Sequence, residues 1–207
     1  MAYVLGFFAA DGTMIKNTRG AHFIEFHITD FDLLKEIQNL FSSNHAITRS
    51  APIGKNKAIY KLQLGSKEMY ADLAALGFES RKSNILTFPH VPDELMPDFI
   101  RGYFDGDGCV SFTKIYRKDR NMLDWSFTTR FTSGSKKFLL ELHRILLESG
   151  LKGGYLYKKQ RGFELVFSRR DSLALFYLIY NNGRCPIYLR RKKKIFIAAL
   201  KKLGYAE

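Results

Sequence analysis

Tyr3-Val-Leu-Gly-Phe-Phe-Ala-Ala-Asp-Gly12 and Phe99-Ile-Arg-Gly-Tyr-Phe-Asp-Gly-Asp-Gly108 are two versions of one ten-residue motif. Aligned on their last glycines, Gly6 matches Gly102, Phe8 matches Phe104, Asp11 matches Asp107 and Gly12 matches Gly108. A single apolar stretch ending in Asp-Gly reads as a helix running into a turn. Two copies in corresponding places of similar halves call for more. Gly6 with Ala10, and Gly102 with Gly106, stand at i and i+4 and share one helix face. Glycine inside a helix costs about 1 kcal/mol relative to alanine, so its repetition predicts close backbone contact between the motif helices. Small-xxx-small faces are one known way to make such a contact. That packing would set Asp11 beside Asp107 at the C-terminal, negative ends of both helices. Two carboxylates there repel each other, and a divalent cation resolves the conflict. Paired carboxylates completed by water and phosphate suit metal-dependent phosphodiester chemistry.

Both segments resemble the motif that names the LAGLIDADG homing endonucleases, and the likeness covers nearly the whole chain. The resemblance implies that Asp11 and Asp107 are catalytic metal ligands, with Ala10 and Gly106 beside them at the metal. The motif's earlier acidic position, which varies in the family, is Ala9 in one copy and Asp105 in the other. The metal expected is Mg2+, with Mn2+ or Ca2+ able to occupy the same site. The implied fold is α+β. Two tandem αββαββα units are related by a pseudo-two-fold axis, their motif helices pack at the interface, and their antiparallel sheets form a DNA-binding saddle.

Local periodicity gives the same order in each half. The first motif helix precedes strands at Thr13–Arg19 and His22–Thr29, a helix Asp30–Ser42, strands Ala46–Ser50 and Lys57–Gly65, and a helix Lys67–Leu76. The second precedes strands Val110–Arg117 and Asp124–Thr132, a helix Ser135–Ser149, strands Tyr155–Lys159 and Phe163–Ser168, and helices Asp171–Tyr180 and Tyr188–Leu203. Pro89, Pro92 and Pro97 mark a connector between the halves. The expected domains are therefore 1–80 and 98–207, joined by 81–97.

Strand alternation sets Ile24, Phe26 and Ile28 toward a core and Glu25 and His27 away from it. Lys61 and Gln63 take the same outward face, as do Ser126, Thr128 and Arg130. A two-stranded ribbon fits the major groove, so these residues are candidate DNA contacts. The resemblance adds Ile15, Asn17, Arg19, Ser111, Thr113, Ile115 and Arg117 from the strand after each motif. Lys158 and Lys159 complete the set. Strands of about nine residues extend roughly 30 Å, about nine base pairs per half. Lys82 and Lys192 resemble the family's basic residues beside the scissile phosphate, where they would steady the developing charge.

Net charge is +13, with 33 Lys and Arg against 20 Asp and Glu. Residues 1–97 carry equal numbers of each sign, so the whole excess belongs to 98–207. Such clustering points to a polyanion, nucleic acid before an anionic membrane. Two cysteines do not make a disulfide framework. With no signal-peptide pattern and no long apolar run, an intracellular protein of the cytoplasm or an organelle is expected, not a secreted one. The reading is a monomer acting as a pseudo-dimer on long, partly asymmetric double-stranded DNA, with no membrane partner. Host intron RNA is a further partner the resemblance allows. An RNA-binding intron maturase and a non-catalytic DNA-binding protein of the same fold are the alternatives.

Overall fold

The computed structural model describes residues 1–51, 58–80, 85–119 and 121–205. The N-terminal half runs α1 (Ala2–Asp11), β1 (Gly12–Lys16), β2 (His22–Ile28), α2 (Phe31–Leu40), β3 (Ile47–Arg49), β4 (Tyr60–Gly65) and α3 (Lys67–Ala75). The C-terminal half runs α4 (Met96–Asp107), β5 (Gly108–Arg117), β6 (Met122–Ser133), α5 (Lys136–Glu148), β7 (Tyr155–Lys159), β8 (Gly162–Phe167), α6 (Arg169–Asn181) and α7 (Arg190–Leu203). Each half forms one antiparallel four-stranded sheet, ordered β1-β2-β4-β3 and β5-β6-β8-β7. The repeated αββαββα order is the one the sequence predicts, with α7 added at the end.

Local chemistry explains the helix starts. Asp30, Ser66 and Ser135 are N-caps whose side chains accept from the amides of Leu33, Met69 and Phe138. Pro97 falls in the first turn of α4, inside the helix rather than in the connector, because its missing N–H has no intrahelical partner to lose there. One face of each sheet is sealed by helices. Met14, Ile24, Phe26, Leu62 and Leu64 are buried on one side; Phe127, Phe131, Leu165 and Phe167 do the same in the other half.

Helices α1 and α4 pack directly against each other, one from each half. A Cβ on Gly6 would lie 2.0 Å from the carbonyl oxygen of Phe99, and one on Gly102 would lie 2.0 Å from that of Tyr3. Nothing but hydrogen fits at either position. The terminal Asp-Gly, in contrast, makes no turn. Gly12 and Gly108 are extended, at φ −83°, ψ 154° and φ −87°, ψ 161°, so each motif helix passes straight into the first strand of its sheet. Glycine is needed there for room: a Cβ would meet the buried rings of Phe8 and Phe104 at 2.0 and 2.3 Å.

The two hairpins differ in length. β5 and β6 have ten and twelve residues, but β1 and β2 have five and seven. At about 3.3 Å per residue, β1 reaches roughly 17 Å, half the span predicted for it.

Gly102→Ala should lower the melting temperature by roughly 2–12 °C, since overpacking costs about 1–3 kcal/mol and each is worth some 2–4 °C at this size. Gly65→Ala is the control, because its Cβ would sit at an ordinary 3.6 Å from Phe23. Equal melting temperatures for the two variants would refute the close-packed pair.

Candidate active site and nucleic-acid interface

The close approach of α1 and α4 brings their C-terminal ends to one place. A Cβ on Gly106 would meet Ala10 Cβ at 2.4 Å and a carboxylate oxygen of Asp11 at 3.1 Å. Asp11 therefore lies against the residue that precedes Asp107. Both carboxylates also act on Tyr103, whose phenol is raised well above its usual range by burial first, then by Asp107 and Asp11. Among the described residues no group of three or more His, Cys, Asp and Glu is placed to hold a metal. The donor set here is two carboxylates. Glycine at 106 makes room for Asp11 beside it, and a hard cation with water and phosphate oxygens as further ligands suits such a pair.

Lys192 stands directly behind this point, though not as a free cation. It is 4% exposed, and its ammonium donates to the carbonyls of Phe104 (2.6 Å), Asp105 (2.8 Å), Gly106 (3.3 Å) and Gly108 (2.5 Å). Three of these carbonyls belong to the last turn of α4 and the fourth to the residue after it, so Lys192 caps α4 and offsets its negative pole. Burial pulls its pKa down to about 8 while Asp105 opposes the fall. Reaching a phosphate would require it to leave those four carbonyls. Gly106, expected at the metal, already shares its carbonyl with Lys192. Lys82 lies outside the described residues.

Asp105 is the anchor that the sequence did not single out. One of its oxygens accepts from Tyr3 Oη of the N-terminal half and from the amide of Leu189, both at 2.8 Å. Its other oxygen is buried without a hydrogen-bond partner. Nearby, Arg101 is 2% exposed and binds Asp98 (2.8 Å) and the carbonyls of Ile179 (2.7 Å), Ile187 (3.1 Å) and Cys185. Together these groups fasten α4 to the loop before α7. A charged i,i+3 pair inside an apolar helix was the available signal.

The open faces of the two sheets carry the remaining candidates. In the C-terminal half, Ser111, Thr113, Ile115 and Arg117 alternate along β5 opposite Thr128, Ser126, Asp124 and Met122. Arg130 is exposed opposite Cys109. Arg117 pairs with Asp124 at 3.6 Å, and Lys159 with Glu164 at 3.1 Å. Lys158 is a correction. It pairs with Phe163, which pairs with Ser133, so it belongs to the helix-covered face, and period-two alternation forbids it the face of Lys159.

In the N-terminal half, Ile15 is half-buried on the open face, and Arg19 is exposed at the hairpin tip. Asn17 is committed elsewhere: its side-chain oxygen accepts from the amides of Arg19 and Ala21 and shapes the turn. Glu25 is also unlike the outward contact expected. It is 6% exposed and is held by His27 (2.9 Å), Lys61 (3.2 Å) and Gln63 (2.5 Å).

A family model described as a LAGLIDADG-like domain matches residues 1–76 and 94–194. No curated protein matches the chain. Among solved structures, the chain is similar to the I-SmaMI LAGLIDADG homing endonuclease bound to cleaved DNA, at TM-score 0.65 and 13% identity, over 98% of this chain and 89% of that one. I-SmaMI bound to an uncleaved DNA target in the presence of calcium ions gives 0.64 and 13%, over 98% and 91%. The I-LtrWI LAGLIDADG homing endonuclease bound to target DNA gives 0.61 and 12%, over 98% and 90%.

Burial pushes the Asp105 carboxyl up to about 6, against the hydrogen bonds of Leu189 and Tyr3 and the charges of Lys192 and Arg101. An acid raised in the folded state contributes stability that is complete below its unfolded value, near 4, and is lost as pH rises through 6. Asp105→Asn removes that loss. Relative to the wild type, the variant should gain on the order of 3 kcal/mol between pH 4 and pH 7, at about 1.4 kcal/mol per pKa unit. Urea unfolding at both pH values measures it, and an unchanged difference would refute the assignment.

Proposed function

The chain belongs to the LAGLIDADG-like domain family, and on that premise we propose that it is a site-specific, metal-dependent DNA endonuclease acting as a monomer on a long, asymmetric duplex. One observation carries the reading: Asp11 and Asp107 come from different halves, and the glycine that precedes one of them leaves just enough room for the other. The homing endonucleases of the same fold were captured with DNA, one of them with calcium ions. At 12–14% identity those structures speak for the fold, and the carboxylate pair of this chain speaks for the chemistry.

Asp11 and Asp107 would hold a divalent cation, Mg2+ in the cell. Once bound, such a cation lowers the pKa of water and neutralises charge on a scissile phosphate. The protein's own contribution is placement. Residues 6 and 102 lock the helices together and set the separation of the carboxylates. Lys192 holds the carbonyls at the end of α4, so Asp107 is presented from a fixed backbone. The open faces, with Arg130, Thr128, Ser126, Thr113 and Ser111 on one half and Lys61, Gln63 and His27 on the other, would follow the major groove to either side. The half-to-half difference in these residues gives an asymmetric target. An intracellular setting, cytoplasm or organelle, goes with this substrate.

Incubated with a randomised duplex library and Mg2+, the wild type should cut both strands at a defined site, and EDTA should stop it. Asp11→Asn and Asp107→Asn should each abolish double-strand cleavage of the selected site, leaving binding within a few-fold, because affinity comes mainly from phosphate contacts elsewhere. A variant that cut both strands at the wild-type rate would refute the two-aspartate site. Binding without cutting by the wild type would leave a DNA-binding protein.

A further inference from the structure

Glu25 is a carboxylate on the face where the proposed function seats a polyanion. An acid there repels phosphate unless something else occupies it, and here three side chains do. His27, Lys61 and Gln63 converge on its two oxygens from β2 and β4. Its environment favours the ionised form: burial works against the charge, but the hydrogen bonds and charges of His27 and Lys61 prevail and lower its pKa.

We propose, resting on the DNA-binding reading above, that Glu25 is a positioning residue: it fixes Lys61, Gln63 and His27 as one preorganised base-reading cluster and keeps Lys61 from binding phosphate indiscriminately.

The chemistry makes the cluster directional. An ionised carboxylate only accepts, so the side of Gln63 that meets Glu25 is its amide nitrogen. One N–H is used there. The other N–H and Oε1 remain as the donor–acceptor fork that matches adenine N7 and N6 in the major groove. Lys61 reaches Glu25 at 3.2 Å with its side chain 37% exposed, so part of its charge is spent inside the sheet while its end stays within reach of a base.

The other half lacks the device at the equivalent place. The residue after each motif glycine, Thr13 or Cys109, faces Glu25 in one sheet and Arg130 in the other. Beyond them stand Gln63 and Val166, then Lys61 and Glu164 one pair along. Charge at these related positions is reversed. Arg130 is exposed, with the sulfur of Cys109 at 3.5 Å, and is available to guanine or phosphate. The halves therefore divide the work, the N-terminal one discriminating and the C-terminal one supplying more of the affinity.

The test uses the full chain and binding alone, in four forms: wild type, E25Q, E25A and the double variant E25A/K61M. Each is selected on a randomised duplex library and titrated against a fixed random-sequence duplex across a salt series. The wild type should show an adenine preference at one base pair of its site. E25A should weaken that preference at least five-fold and tighten random-duplex binding several-fold. Its log–log salt slope should steepen by up to about 0.9, the value of one added phosphate contact, and K61M should cancel the steepening. E25Q keeps the shape and loses the charge, so it should move the slope in the same direction; it also decides the matter if E25A proves misfolded by circular dichroism.

Unchanged slope and unchanged base preference in both variants would overturn the proposal. So would loss of a cytosine preference at one pair with random binding unaltered, since that would make Glu25 itself the base contact. A wild type that binds no duplex at all would bring down the DNA reading, before any variant is compared.

Discussion

Everything in this molecule depends on two helices lying closer together than side chains allow. With the carbonyls of Tyr3 and Phe99 occupying the space where Gly102 and Gly6 would carry a methyl group, α1 and α4 have one way to pack. Each helix then delivers its last residue, an aspartate, into the same small volume, and each continues without a turn into a sheet. The positions of the carboxylates and of the open sheet faces are thus consequences of one contact. The apolar rings of Phe8 and Phe104, buried under the following glycines, fix the exit direction.

The contact is symmetric in backbone and asymmetric in chemistry. Tyr3 finds a carboxylate at Asp105, while the symmetry-related positions, Phe99 and Ala9, have no polar group to satisfy. A buried donor without an acceptor costs about 1–3 kcal/mol, so tyrosine and aspartate belong together and so do phenylalanine and alanine. This accounts for the missing acid at Ala9, which the motif alone leaves as a gap. The same logic holds further back along each helix. Asp98 and Arg101 clamp the loop before α7, and their counterparts Ala2 and Leu5 line an apolar groove instead.

The sequence made the architecture legible because repetition and periodicity act locally. Apolar spacing, capping serines and the small residues of the motif each announce themselves within a turn or two. The closeness of Asp11 to the end of the second motif helix was legible because the backbone alone decides it. Residues whose role depends on distant partners were misjudged. Lys192 reads as one cation in the run Arg190–Lys194, yet it is drawn inward by carbonyls more than eighty positions away. Glu25 reads as a groove contact from alternation and Asn17 from the family resemblance, but neither source says anything of the neighbouring strands or of the turn that engage them. Lys158 fails on alternation itself, since two adjacent strand residues cannot share a face.

Charge shows the same limit most clearly. The surplus of the C-terminal half suggests a broad phosphate-binding surface, and part of it does something else. Arg101 and Lys192 are buried structural cations, Arg190 reaches across to Glu36 of the other half at 3.1 Å, and Lys193 lies over the rings of Tyr188 and Tyr180. Arg117, Arg169 and Lys159 each have a carboxylate partner. Exposed pairs of this kind are worth little to stability, about 0–1 kcal/mol, but each reduces the charge that a passing duplex would feel. Arg130, exposed beside the sulfur of Cys109, is one of the cations that stay available to DNA. Net charge measures how many cations a fold contains, and only the hydrogen-bond partners of each one say whether it is available to a ligand.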